Sequence, residues 1–169
     1  VSADRLTFFY IDEPEMALDL RDILTELVER LLSDEPLYLV DMEIKGATAA
    51  PIIWIYLESE KGGVSIDACA NLSREIVFHL EARTDVPESF TLNVSSPGLD
   101  RPLMDIRQFR TNVGRHAAVK WRFEDQTHHL KGKLTTVTDL DFTITDEKGV
   151  AHVIAFSEGR EVKIIPVFK

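Results

Sequence analysis

The sequence predicts an α+β protein in two parts, an N-terminal α-β-β-α-β layer followed by a small C-terminal β-barrel. Three observations carry this expectation. Apolar residues recur twice at helical spacing in the first half, and several short alternating stretches follow one another closely in the second. Between them stands a turn-rich decapeptide, Val94-Ser95-Ser96-Pro97-Gly98-Leu99-Asp100-Arg101-Pro102-Leu103.

The first helix starts at Asp12-Glu13-Pro14-Glu15, where an Asp cap, an early proline and a Glu three residues on make a start of capping-box type. Leu20, Ile23, Leu24, Leu27 and Leu31 then mark one buried face of a helix over about 15–32, and Asp19, Asp22, Glu26 and Glu29 make its other face acidic. Leu37–Lys45 and Ile52–Glu58 read as an antiparallel strand pair turning through Gly46–Pro51. The near-continuous apolar run from Ile52 to Leu57 suits the better-buried strand of the two. Gly62-Gly63 forms a turn, Ser65 caps a second helix running to about Arg83, and Cys69, Leu72, Ile76 and Leu80 are its buried stripe. Phe90, Leu92 and Val94 alternate with Thr91, Asn93 and Ser95 in a third strand. This order suits a sheet with two helices on one face, of split ferredoxin-like or KH-like type, which by itself assigns no function.

In the decapeptide, Pro97 and Gly98 suit the two central positions of a type II turn, and Pro102 biases Arg101 to extended geometry. The segment is a stiff linker or a rigid hinge. Asp100 and Arg101 either pair, with each other or with neighbours, or face a partner. A short helical segment follows over Asp105–Asn112. Beyond it, Ala117, Val119, Trp121 and Phe123 point to the core while His116, Ala118, Lys120 and Arg122 face water. Further strands fall at Leu130–Thr138, Phe142–Thr145, Val150–Phe156 and Val162–Val167, with turns at 139–141 and 146–149 and a tight connection at Gly159-Arg160.

Composition bounds the function. The chain has 169 residues, of which 44% are apolar and 28% charged, which excludes disorder. Its longest apolar run, Pro51–Leu57, is far below the roughly 20 residues that cross a bilayer, so neither a membrane span nor a leader is expected and the cytoplasm is the default. A single cysteine, with no Cys/His cluster, offers no disulfide and no zinc site. Ser95, Ser96, Asp100, His116, His128 and His129 have the residue types of a nucleophilic triad but no positioning motif, so no enzyme is expected. His128-His129 cannot chelate one metal from a regular strand and is read as a strand-end or loop pair. Gly62-Gly63 lacks the rest of a phosphate-binding fingerprint, and no cofactor is implied.

Charge separates the halves. Residues 1–98 carry 7 Lys and Arg against 19 Asp and Glu, a net of −12, whereas residues 99–169 carry 12 against 10, a net of +2. The acidic half favours a basic protein over naked RNA. The cations Arg101, Arg107, Arg110, Arg115, Lys120 and Arg122, opposed within that stretch only by Asp105, are candidates to touch RNA phosphate.

The segment Val94–Leu103 closely resembles the signature of the RimP family of ribosome maturation factors. Gly62-Gly63-Val64-Ser65-Ile66-Asp67-Ala68-Cys69-Ala70-Asn71-Leu72-Ser73-Arg74-Glu75 is similar to the same family's entry into its second helix. The resemblance implies an N-terminal α/β domain over 13–95, a hinge over 96–103 and an SH3-like barrel over 104–169, with residues 1–12 as an extension outside it. It implies assembly of the small ribosomal subunit, with two partners: a strongly basic ribosomal protein near the decoding centre and maturing ribosomal RNA. The acidic residues Asp19, Asp22, Glu26 and Glu29 would hold the protein. The expected state is a cytoplasmic monomer with no membrane contact; a free-standing RNA-binding regulator is the alternative.

Overall fold

The computed structural model describes residues 20–98, 101–158 and 160–166. The chain divides into two compact units, Val1–Ser96 and Pro97–Lys169.

In the first unit, helix α1 runs over residues 20–31 of the described chain; its start, with the cap expected at Asp12, lies outside them. Leu20, Leu24, Leu27, Val28 and Leu32 are buried, with Ile23 and Leu31 packed at the margin of the same core. Strands β1 (Leu37–Ala47) and β2 (Ala50–Ser59) form an antiparallel hairpin. The turn is shorter than the sequence suggests: Gly46 pairs with Pro51 and Ala47 with Ala50 inside the ladder, leaving two residues to reverse the chain. Strand β2 also differs from a strand buried on both faces. Pro51, Ile53, Ile55, Leu57 and Ser59 point inward, while the alternate residues, Ile52 with the stacked rings of Trp54 and Tyr56, lie on the opposite face. Both helices contribute to one core on one side, so the run's second set of apolar residues has no layer to enter.

Helix α2 (Ile66–Glu81) begins where expected, with Ser65 Oγ accepting from the Ala68 N–H at 3.0 Å. Gly62 and Gly63 reach it at φ of 80° and 74°, a left-handed pair that L side chains rarely adopt. Leu72, Ile76 and Leu80 are buried and Cys69 is half-buried. Strand β3 (Thr91–Ser95) then lies parallel to β2, giving the order β1-β2-β3. The crossover is therefore not split: β1 occupies the far edge of β2, no strand separates β2 from β3, and the helix links direct neighbours.

In the second unit, α3 (Ile106–Thr111) sits within the expected segment, its Asp105 cap completed by Gln108 in a capping box. Strands β4 (His116–Phe123), β5 (Gln126–Val137), β6 (Asp141–Thr145), β7 (Ala151–Ala155) and β8 (Arg160–Ile164) form one antiparallel sheet in the order β7-β6-β5-β4-β8. The core inside it is Phe109 from α3 with Ala117, Val119, Leu134, Phe142, Ile144, Ile154, Val162 and Ile164. Two side-chain expectations fail here. Phe123 is 50% exposed, because β8 accompanies β4 only as far as Trp121 and the inward-facing set outruns the core. His128 and His129 lie within β5 rather than at its end, since β5 starts at Gln126. Gly159 lies outside the described residues.

Candidate functional site

Among the acidic residues of α1, Asp22, Glu26 and Glu29 are exposed, and their spacing by four and three residues sets them along one helix face; Asp19 lies outside the described residues. The face is less uniform than composition suggests. Glu26 borders a groove between α1 and α2 that is also lined by Arg30, His79 and Arg83. Arg83 holds Asp85 through two hydrogen bonds of 2.8 and 2.6 Å. That contact raises the Arg83 pKa above its ordinary value, with a smaller contribution from Glu26, and lowers that of Asp85. The groove thus joins an acidic helix surface to a cationic rim.

The linker motif is anchored at both ends. Ser95 closes β3 opposite Tyr56 and its hydroxyl donates to the Ser96 carbonyl at 3.2 Å. Beyond Ser96 and Pro97, the Arg101 N–H donates to the Gly98 carbonyl at 3.1 Å. Leu99 and Asp100, and with them the expected Asp100–Arg101 pair, lie outside the described residues. After Pro102, the Leu103 N–H donates to the Val162 carbonyl of β8 at 2.7 Å and its side chain packs on the second core. The end of the motif is therefore part of the second unit. Arg74, on α2, donates to Asn71 one turn earlier.

The six cations predicted to face RNA do not form one surface. Arg107 grips the Asp105 carboxylate in a fork of 3.0 and 2.9 Å, which is the main reason the Asp105 pKa falls below the ordinary carboxylate range. Arg110 reaches Asp139 at 2.5 Å and Arg115 reaches Asn112 at 3.0 Å. These three brace α3 and its flanking loops. Lys120 and Arg122 instead stand exposed on the outer face of β4.

The ladder registers reveal what surrounds them. His116 lies opposite Lys133, Ala118 opposite Lys131, Lys120 opposite His129 and Arg122 opposite Thr127 on β5; across β8, Ala118 faces Lys163 and Lys120 faces Glu161. Directly paired residues project from the same face of a sheet. Three strands thus put Lys120, Arg122, Lys131, Lys133 and Lys163 on one face, where Lys120, Lys131 and Lys163 border a depression of about 220 Å³ at the small side chain of Ala118. Lys131, Lys133 and Lys163 had no mark in the sequence beyond their alternation with buried neighbours.

On the opposite face, Trp121 and His128 stack with centroids 5.2 Å apart and planes 25° from parallel. Arg160 lies over the Phe156 ring at 4.8 Å and donates to the Phe156 carbonyl at 2.6 Å, and burial lowers its pKa. That guanidinium is a packing element. Among the described residues, no three His, Cys, Asp or Glu side chains are grouped to hold a metal, and no helix is long and apolar enough to cross a membrane.

Residues 27–100 match the RimP N-terminal domain. The match supports a RimP-family protein. The match runs from within α1 through β3 into the linker and falls on the acidic unit, so the matched domain carries the negative charge. Such a domain points to a general part in ribosome maturation.

Proposed function

We propose that this RimP-family chain assists assembly of the small ribosomal subunit as a non-enzymatic scaffold acting without a cofactor. Its acidic unit holds a strongly basic ribosomal protein near the decoding centre, and its second unit, of SH3-like barrel type, touches maturing ribosomal RNA; the chain works in the cytoplasm as a monomer. The observation that carries this reading is the RimP N-terminal domain match over residues 27–100, on the half of the chain whose net charge is −12. An exposed carboxylate row on a helix attracts a polycation through long-range charge and gives specificity by register.

The test is co-purification. The tagged chain should draw immature small subunits from cell extract, and the Asp22→Lys/Glu26→Lys/Glu29→Lys variant should bind a purified basic small-subunit protein at least about 10-fold more weakly at low salt, with the difference shrinking as the Debye length falls below about 8 Å. Capture of short RNA but no precursor subunits would favour a free-standing RNA-binding regulator instead.

A further inference from the structure

We infer that the outer face of β4, β5 and β8 binds the phosphate backbone of RNA, with Lys131, Lys133 and Lys163 as contact residues beside Lys120 and Arg122. The inference rests on the proposed assembly role only for the choice of RNA as the polyanion. Three features of the face carry it.

The first is segregation. In a chain of net charge −10, five Lys and Arg side chains share one sheet face with a single acid, Glu161. Glu161 is itself neutralised by Lys163 at 3.4 Å. His116 and His129 stand on the same face.

The second is availability. Arg107, Arg110 and Arg115 are held by Asp105, Asp139 and Asn112, whereas Lys120, Arg122, Lys131 and Lys133 have no hydrogen-bond or ion-pair partner among the described residues. Ammonium groups left in water are ready to displace counterions from a phosphate chain.

The third is the kind of surface. Its one apolar side chain is Ala118, and the rings of Trp121 and Phe123 belong to the other face. Cations fixed on a sheet lattice with no Trp, Tyr or Phe ring among them engage backbone phosphates rather than a stacked run of bases. Recognition here is thus of RNA backbone and insensitive to sequence. The sheet sets the spacing: Lys120 and Arg122, like Lys131 and Lys133, lie about 7 Å apart along a strand, and Lys131 and Lys163 flank Ala118 about 10 Å apart across two strand intervals.

The experiment uses the full chain and a fluorescent RNA hairpin, with anisotropy read over a salt series. Five cations give an expected slope of log affinity against log salt of roughly −3.5 to −4.5. The Lys131→Gln/Lys133→Gln/Lys163→Gln variant should lose about 2 units of that slope and at least about 10-fold in affinity at low salt, whereas Arg110→Gln/Arg115→Gln should stay within about 2-fold of the parent. A scrambled hairpin of equal length should bind equally. Unchanged RNA binding by the triple variant overturns the inference, as does a parent chain that binds no RNA at low salt. If polyglutamate binds the parent as tightly as RNA and is lost with the same three lysines, the face serves an acidic protein and the inference also falls. Co-purification with precursor subunits reads the assembly role separately, so failure of the RNA face leaves that reading to its own result.

Discussion

Gly132 offers the sharpest test of the second unit. Strand β5 pairs with β4 up to Lys133 and with β6 from Lys133 onward, so Gly132 sits where the strand passes from one neighbour to the other. A Cβ placed there would fall well inside van der Waals contact of the Thr145 carbonyl oxygen, 2.8 Å from Ile144 Cγ2 and 2.9 Å from the Thr145 carbonyl carbon. Carbon atoms prefer separations of about 3.5–4.0 Å, so Gly132→Ala requires backbone of β6 to retreat by about 0.5–1 Å, against a core that holds Ile144 fully buried. Overpacking of this kind costs about 1–3 kcal/mol. Taking about 2 kcal/mol, a unit of this size should lose about 8–16 °C in Tm, and with a urea slope near 1 kcal/mol/M its midpoint should fall by about 2 M. The assay is intrinsic fluorescence in a Trp54→Phe background, where Trp121 on β4 is the sole tryptophan and reports on the second unit. The helical circular dichroism of α1 and α2 follows the first unit in the same samples. A loss below about 0.5 kcal/mol would refute the claim that β5 and β6 approach closely enough to require glycine.

Asp105→Ala removes the cap of α3 and strands the Arg107 fork, and should cost about 0.5–2 kcal/mol in the same urea assay. Because the native contacts depress the Asp105 pKa, its contribution is present above the unfolded value near 3.9 and is lost as pH falls through the lower folded value; the stability difference between parent and Asp105→Ala should therefore be constant near pH 7 and shrink below about pH 4. Ser65→Ala deletes the hydroxyl that accepts from the Ala68 N–H and should destabilise the first unit by about 1 kcal/mol, measured by helical ellipticity in urea, with Ser65→Asp recovering most of the loss.

Local chemistry was legible in the sequence wherever a residue acts through its immediate neighbours. Ser65 caps the helix it precedes, and the left-handed Gly62 and Gly63 lead into α2, because caps and turns close within a few residues. The alternation in β4 likewise announced Lys120 and Arg122 as outward residues. Tertiary structure decided what depends on pairing between distant strands. Which cations share a surface follows from the registers that align β4 with β5 and β8, and those registers drew in Lys131, Lys133 and Lys163 while contacts around α3 withdrew Arg107, Arg110 and Arg115. The one-sided burial of β2 and the exposure of Phe123 have the same origin. A strand's period fixes two faces, but only the layers and neighbours it meets fix which face is covered, and for how many residues.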